Sequence, residues 1–182
     1  MRPETFAEEL ERAWEERRPI EPLSDRGLKG IEAAYRVQEA WNALRLGKGD
    51  RVVGRKIGLT SKAVQEQLGV DQPDFGNLWE SRFFGVGERV EVEARLCLQP
   101  RVEGELAFLI GRRLEGPGVT PQEVLAATEA VAFAIEIVDS RIRDWRIRIE
   151  YTIADKASYG GLVVGPWEKA LLEEDLSAWG LV

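Results

Sequence analysis

Glutamates stand inside two apolar stretches of this chain, and their placement limits how it can fold. Glu136 interrupts the run AVAFAIEIVDSR, and Glu103 and Glu105 lie in PRVEGELAFLIG. A buried carboxylate is unfavourable unless a cation or a hydrogen-bond donor compensates its charge. Residues two apart in a strand project from the same face, roughly 6.5 to 7 Å apart along the backbone, so Glu103 and Glu105 can converge on one cation. The pattern predicts a hard-metal site formed by Glu103, Glu105 and Glu136.

The residue types that are missing narrow the chemistry further. The chain has 182 residues, no histidine and one cysteine, Cys97. Catalytic triads and zinc or iron sites that use imidazole are therefore excluded, as are thiolate clusters. An all-oxygen site suits Mg²⁺ or Mn²⁺. General acid–base catalysis would have to use Asp, Glu, Lys, Tyr or water. The alternative for Glu103 and Glu105 is exposure on an edge strand, and the flanking apolar residues favour burial instead.

Composition and charge indicate the general class of protein. The chain is 44% hydrophobic and 31% charged, as expected of a folded globular protein. A net charge of −7 argues against nucleic acid or an anionic membrane as the main partner. There is no apolar run long enough to span a membrane and no signal-peptide core, and one cysteine fits a cytoplasmic location. We expect one domain over 1–182, with a helical layer over 1–50 and a β-rich catalytic part over 51–182.

Helical periodicity marks the start of the chain. Phe6, Leu10 and Trp14 recur every four residues, which predicts an amphipathic helix over 4–18. Further helices are predicted over 31–44, over 61–68 after a serine cap, and over about 120–130 after a capping box.

Apolar alternation and short apolar runs predict strands in the rest of the chain. These strands cover 51–57, 83–98, 102–110, 132–138 and 146–151. In the second of them, Val90 and Val92 alternate with Glu91 and Glu93. The segment DQPDFG is predicted to be a loop, because proline and glycine interrupt both the helical and the strand period. Helices near the N-terminus followed by strands later in the chain predict the α+β class.

Four long segments of the chain resemble one enzyme family. In collinear order over about 54–165 they read GRKIGLTSKAVQEQLGVDQPDFGNL, QPRVEGELAFLIG, GPGVTPQEVLAATEAV and EIVDSRIRDWRIRIEYTIADKASYGGLVVG. Several motifs of this length are far more specific than one short pattern. On these motifs the chain resembles the 2-hydroxypenta-2,4-dienoate hydratases, also called 2-oxopent-4-enoate or 2-keto-4-pentenoate hydratases, of the fumarylacetoacetate hydrolase superfamily.

The resemblance carries expectations about fold and metal. It implies N-terminal helices followed by a mixed β-sheet roll or sandwich of the fumarylacetoacetate hydrolase type. It also implies that Glu103, Glu105 and Glu136 hold a divalent metal, Mg²⁺ or Mn²⁺, in agreement with the prediction made from residue chemistry. Members of this family usually form homo-oligomers, so a homo-oligomer is expected, alone or in a complex with a sister decarboxylase or hydratase.

The resemblance also implies further site residues. Lys56 in GRKIG and Asp74 in QPDFG are expected as the catalytic acid and base, and Gly58, Leu59 and Ser158 as substrate-binding residues of the pocket. Each has a plainer alternative: Lys56 as a surface ion-pair partner, Asp74 as a turn residue and Ser158 as a serine bonded to backbone.

The implied activity is that of a metal-dependent carbon–oxygen lyase. It would add water to 2-hydroxypenta-2,4-dienoate and form 4-hydroxy-2-oxopentanoate in the meta-cleavage degradation of aromatic compounds. The carboxylate and neighbouring oxygen of such a small 2-oxo or 2-hydroxydienoic acid would chelate the metal. The nearest alternative is the sister enzyme 4-oxalocrotonate decarboxylase, and a third is a non-catalytic assembly partner of such enzymes.

Two departures from the family pattern bear on these expectations. The usual ADNAS motif reads ADKAS, so Lys156 places a charge near the implied pocket or points outward. Family members continue well beyond the GLVVG segment, whereas this chain ends at Val182, so C-terminal strands are expected to be missing. That predicts weakened activity or an oligomer that shields an open sheet edge. Arg141 and Arg143 are expected in solvated or interface positions, with attraction of an anionic substrate as the alternative.

Overall fold

The computed structural model describes residues 2–87 and 96–178. The helices are α1 (Pro3–Glu16), α2 (Ile31–Gly47), α3 (Lys62–Leu68), α4 (Pro121–Ala127) and α5 (Ile149–Ala154). The strands are β1 (Val52–Gly58), β2 (Asp74–Trp79), β3 (Phe83–Phe84), β4 (Pro100–Ile110), β5 (Thr128–Asp139) and β6 (Tyr159–Val164). This mixture of leading helices and later strands confirms the predicted α+β class. In the described part of the chain, no helix is both long enough and apolar enough to cross a membrane.

The N-terminal helices form one side of the core. Phe6, Leu10 and Trp14 of α1 are all buried, as their four-residue spacing predicts. Trp14 meets Trp41 of α2 edge to face, with ring centres 5.6 Å apart. Gln38 of α2 donates hydrogen bonds to backbone carbonyls on β2 and α5, which ties the helical layer to the rest of the fold.

Two sheets follow the helices. β1 and β2 pair antiparallel, and a four-stranded sheet has the order β3-β6-β5-β4. In that sheet β4, β5 and β6 pair antiparallel, while β3 pairs parallel with β6. β5 and β6 therefore lie in the interior of the sheet, and within the described residues β3 and β4 are its edges. This topology puts the acidic residues of β4 beside that of β5.

Two of the predicted elements are wrong. Residues 74–79, which include the end of DQPDFG, form β2, because pairing with β1 supplies the backbone hydrogen bonds of this segment. Residues 146–151 were predicted as a strand, but the chain forms a short 3₁₀ turn over 143–145 and then α5. The buried Tyr151 and Ile153 place α5 in the core cluster beside α2.

Other boundaries shift by a few residues. The capping box of α4 is confirmed, since the Thr120 side chain accepts from the Glu123 backbone and the Glu123 side chain from the Thr120 backbone. That helix ends at Ala127, and β5 begins at once and is longer than predicted. Of the predicted strand over 83–98, only Phe83–Phe84 is a strand among the described residues, and 85–87 and 96–98 are not. Its alternating residues Val90, Glu91, Val92 and Glu93 lie outside the described residues.

Candidate metal centre

Three carboxylates converge on one face of the four-stranded sheet. Glu103 of β4 lies directly opposite Glu136 of β5, and Glu105 follows two residues later on the same face of β4. One carboxylate oxygen from each of the three residues lies within 4.8 Å of the others. Sequence spacing predicted the nearness of Glu103 and Glu105, and strand pairing brings Glu136 to them.

The donor set fits a hard divalent cation. In an octahedral Mg²⁺ site with bonds of about 2.1 Å, ligand oxygens lie roughly 3 to 4.2 Å apart, so oxygens within 4.8 Å need only small adjustments. Burial raises the pKa of Glu136 to about 7, and the nearby Glu103 and Glu105 add to that rise, while Lys56 opposes it. Burial and Glu103 also raise the pKa of Glu105. Positive charge at the cluster would relieve this repulsion.

The three carboxylates differ in exposure. Glu136 is only 3% exposed, as predicted, but Glu103 and Glu105 are exposed. Burial of the latter pair was expected from their apolar neighbours, and this expectation is wrong. Val102 itself is 68% exposed, and it belongs to β4, one of the two edge strands of the described sheet. The cluster therefore has one buried wall and one side open to solvent.

Lys56 reaches the cluster from the other sheet. Its Nζ lies 2.8 Å from Glu136 Oε1 and donates to the backbone carbonyl of Ala157 at 2.8 Å. The side chain is 10% exposed, so the surface ion pair considered as an alternative is wrong. Alternation along β1 explains this position, because Val52, Gly54, Lys56 and Gly58 face inward while their neighbours face solvent.

Asp74 is a buried carboxylic acid beside this lysine. It stands opposite Gly58 in the β1–β2 pair, and a Cβ at Gly58 would overlap its carboxylate. Neither of its carboxylate oxygens has a well-formed hydrogen bond among the described residues, although the Thr152 hydroxyl lies nearby. Burial raises the pKa of Asp74, and Thr152 and Lys56 only partly offset that rise. Asp74 lies in a strand and is not a turn residue.

Of the remaining predicted pocket residues, Gly58 and Ser158 lie near Lys56. Ser158 is 5% exposed, and its hydroxyl has no hydrogen-bond partner among the described residues. A Cβ at Gly58 would lie 3.8 Å from the Cβ of Ala157, so β1 and the segment before β6 are in contact. Leu59 has a positive φ of 57°, and its carbonyl accepts a hydrogen bond from Gln65. Lys56, Gly58, Ala157 and Ser158 are therefore neighbours.

The structure also buries an arginine that was expected in a solvated or interface position. Arg141 is fully buried, so its expected solvated or interface position is wrong, whereas Arg143 is exposed and pairs with Glu21. Arg141 Nε donates to the Asp155 carboxylate at 2.5 Å, and its other nitrogens donate to the carbonyls of Asp155 and Tyr159 at 2.7 and 2.8 Å. This network holds both ends of the segment that carries Ser158. Arg141 and Asp155 lie 14 residues apart in sequence, so neither helical nor strand periodicity predicts their contact.

Lys156 is likewise buried and does not point outward. Together with Ala157 and Ser158 it adopts a positive φ, with values of 56°, 52° and 54°. This left-handed conformation disfavours non-glycine residues by roughly 1–2 kcal/mol each, so surrounding contacts must hold it.

Curated proteins from several bacteria are similar to this chain. It is 46% identical over 178 residues to a 2-hydroxypent-2,4-dienoate hydratase of Pseudomonas putida, a match that covers 97% of this chain and 80% of that protein. It is 46% identical to a 2-hydroxyhexa-2,4-dienoate hydratase of Comamonas testosteroni, covering 96% and 67%. It is 47% identical to 2-keto-4-pentenoate hydratase 2 of Dechloromonas aromatica, covering 98% and 68%. The chain thus spans about two thirds of the length of the latter two.

A solved structure has the same fold. The 4-oxalocrotonate decarboxylase of Pseudomonas putida G7, complexed with magnesium and adipate, superimposes with a TM-score of 0.89 at 29% identity. The match covers 96% of this chain and 66% of that one. The same enzyme complexed with calcium and acetate gives a TM-score of 0.87. The model of the fumarylacetoacetate (FAA) hydrolase C-terminal family matches residues 44–181. With the fold, the matched relatives and this family model in agreement, the chain belongs to the fumarylacetoacetate hydrolase family.

Proposed function

We propose that this protein is a divalent-metal-dependent hydratase that converts 2-hydroxypenta-2,4-dienoate to 4-hydroxy-2-oxopentanoate. The observation that carries the proposal is the cluster of Glu103, Glu105 and Glu136, with Lys56 2.8 Å from the buried member. The support from relatives is that those at 44–47% identity are named as hydratases of 2-hydroxypentadienoate or 2-keto-4-pentenoate. The product belongs to the meta-cleavage degradation of aromatic compounds.

The three carboxylates are proposed to hold Mg²⁺ or Mn²⁺. When bound, the cation supplies Lewis-acid stabilisation of negative charge on a 2-oxo acid, an effect worth several kcal/mol. Glu136 fixes one side of the site from the buried strand, and the exposed Glu103 and Glu105 leave the solvent side open for a substrate.

Lys56 is proposed to orient the substrate. An ammonium group has three N–H donors, and Lys56 directs two of its interactions to Glu136 and to the Ala157 carbonyl. The remaining donor is available for the substrate carboxylate or the C2 oxygen. A charge-assisted hydrogen bond at this oxygen strengthens as negative charge develops there.

Asp74 is proposed to carry the proton. Hydration of the dienoate moves the C2 hydroxyl proton away, places a proton on C5, and adds the hydroxyl and the remaining proton of water across C4 and C3. The raised pKa of Asp74 keeps more of this acid protonated than an exposed aspartic acid would be, so it can donate and then accept. Gly58, Leu59 and Ser158 are proposed to line the pocket, where the unpartnered Ser158 hydroxyl offers a hydrogen bond.

A second candidate function is decarboxylation of 4-oxalocrotonate. It is favoured by the superposition on the 4-oxalocrotonate decarboxylase, but that enzyme is 29% identical, whereas the hydratases reach 46–47%. Both reactions need a 2-oxo acid and stabilisation of an enolate, so the site alone is compatible with either. Measuring carbon dioxide release and hydrated product with both substrates separates them.

The test of the proposed function is a dienoate assay by ultraviolet absorbance with Mg²⁺ or Mn²⁺. Loss of the dienoate band with formation of 4-hydroxy-2-oxopentanoate is expected, and loss of the band without hydrated product would contradict a hydratase. A non-catalytic assembly partner would show neither metal affinity nor turnover. We also propose that the protein is cytoplasmic and forms a homo-oligomer. Sedimentation measurements can check the oligomeric state.

A further inference from the structure

The Lys156 side chain lies inside a cage of three tryptophan rings. Its Nζ is 3.5 Å from the ring centre of Trp41, 4.7 Å from that of Trp14 and 5.0 Å from that of Trp79. The residue is fully buried, and its amine has no hydrogen-bond partner among the described residues. Ring faces, rather than an acceptor oxygen, therefore hold this side chain.

The walls of the cage come from separate parts of the fold. Trp14 belongs to α1, Trp41 to α2 and Trp79 to β2, and all three rings are buried. Trp14 and Trp41 pack edge to face, and the Trp41 indole N–H donates to the Glu11 carboxylate. These contacts orient Trp14 and Trp41 relative to each other, and burial packs all three rings around the Lys156 side chain.

Burial and nearby charged groups affect the protonation of the Lys156 amine. Burial lowers the pKa of Lys156 well below its usual value, and Arg141 and Arg45 lower it further, while Glu11 and Asp155 oppose them. The surroundings thus favour the neutral amine. An uncharged amine on a flexible stem packs against the rings without bringing a full charge into the core.

The backbone of Lys156 begins the left-handed turn described above. Its carbonyl lies over Gly76 of β2, where a Cβ would overlap it. The next carbonyl, that of Ala157, accepts the hydrogen bond from Lys56. Ser158 N donates to the Asp155 carbonyl at 3.0 Å. The turn is therefore fixed at its ends by backbone bonds, and at its first residue by the caged side chain.

We propose that Lys156 is a positioning residue for the candidate site. Its side chain, seated among Trp14, Trp41 and Trp79, holds the turn so that the Ala157 carbonyl directs Lys56 towards Glu136. The kinetic consequence rests on the proposed function, but the position of Lys56 can be measured without catalysis.

The test compares Lys156→Ala, Lys156→Leu and Lys156→Met with the native chain by amine acetylation and peptide mass spectrometry. The exposed Lys29 and Lys62 serve as internal references. Alanine empties the cage, so labelling of Lys56 relative to the references should rise several-fold. Leucine stops short of the Trp41 face and should give an intermediate rise. Methionine fills the cage with a stem of similar length, so its labelling should match that of the native chain.

Hydrogen exchange over residues 155–160 provides a second readout, with faster exchange expected in the same order. Unchanged Lys56 labelling and exchange in the alanine variant overturn the inference, whatever its melting temperature. Labelling of the methionine variant as fast as that of the alanine variant also overturns it. If the alanine variant does not fold, Lys56 labelling is compared between the leucine variant and the native chain. Equal labelling in these two proteins overturns the inference.

Kinetics separate this inference from the proposed function. If the native chain hydrates the dienoate, Lys156→Ala should lower kcat while its Mg²⁺ affinity stays unchanged, and Lys156→Met should restore kcat. If the native chain shows no turnover, the proposed function fails, and the labelling experiment still judges the role of Lys156.

Discussion

Glu103 and Glu136 lie directly opposite one another on neighbouring strands. Like charges at directly opposed positions destabilise a sheet, and Glu105 brings a third carboxylate to the same face. The arrangement opposes folding unless positive charge compensates it. Lys56 provides one such charge, and the proposed divalent cation would provide the rest.

Removing a single ligand should weaken metal binding. We expect Glu103→Gln and Glu136→Gln each to lower Mg²⁺ affinity by at least about tenfold, because an amide oxygen carries no charge to bind the cation. Isothermal titration with Mg²⁺ and with Mn²⁺ measures this. The matched control is Glu129→Gln, an exposed position on the same strand β5, which should bind as the native chain does. Undiminished affinity in both ligand variants would remove these residues from the metal site.

Without metal, stability should fall as the pH rises from about 4.5 to about 7. Folding raises the pKa of Glu136 from 4.5 to about 7, so the fold favours the protonated form. The stabilising contribution of about 3 kcal/mol is fully present below about pH 4.5, decreases between pH 4.5 and 7, and is absent above about pH 7. Urea unfolding at a series of pH values, in a chelator, measures it.

Glu136→Gln is the reference for this pH effect, since its amide does not titrate. The native chain should lose stability relative to this variant between about pH 4.5 and 7. Parallel stability curves for the two proteins would show that Glu136 does not have a raised pKa. Added Mg²⁺ should reverse the loss in the native chain only, since binding to the folded state stabilises it by mass action.

Asp74 should matter for turnover and not for metal affinity. We expect Asp74→Asn to lower kcat about a hundredfold or more, because the amide cannot exchange a proton with the substrate. Mg²⁺ titration should be unchanged, since Asp74 is not part of the carboxylate cluster. Asp71→Asn, in the exposed loop just before β2, is the control and should keep native kcat. Native turnover in Asp74→Asn would exclude a proton-transfer role.

A methyl group at Gly76 should disturb the turn that carries Ser158. A Cβ there would overlap the Lys156 carbonyl, so Gly76→Ala is expected to destabilise the protein by about 1–3 kcal/mol. Gly47→Ala at the end of α2 has open space around it and should be neutral or stabilising by up to about 1 kcal/mol. Thermal unfolding compares them. Equal melting temperatures for the two variants would mean that the turn tolerates displacement.

Local patterns in the sequence predicted much of the fold. The four-residue spacing of α1 and the capping box of α4 were confirmed because both depend only on neighbouring residues. The strand predicted for residues 146–151 was wrong because Ile147 and Tyr151 satisfy a helical four-residue spacing as well as strand alternation. Packing against α2 selects the helix for residues 149–154.

By itself, the sequence determined the chemistry available to this protein. The absence of histidine and the glutamates at 103, 105 and 136 limit it to an all-oxygen site, because side-chain type sets the donor atoms. Only the tertiary structure decided that Lys56 meets Glu136, and that Lys156 enters a tryptophan cage and does not point to solvent. These contacts join residues far apart in the chain, and they depend on strand register and helix packing, which no local spacing encodes.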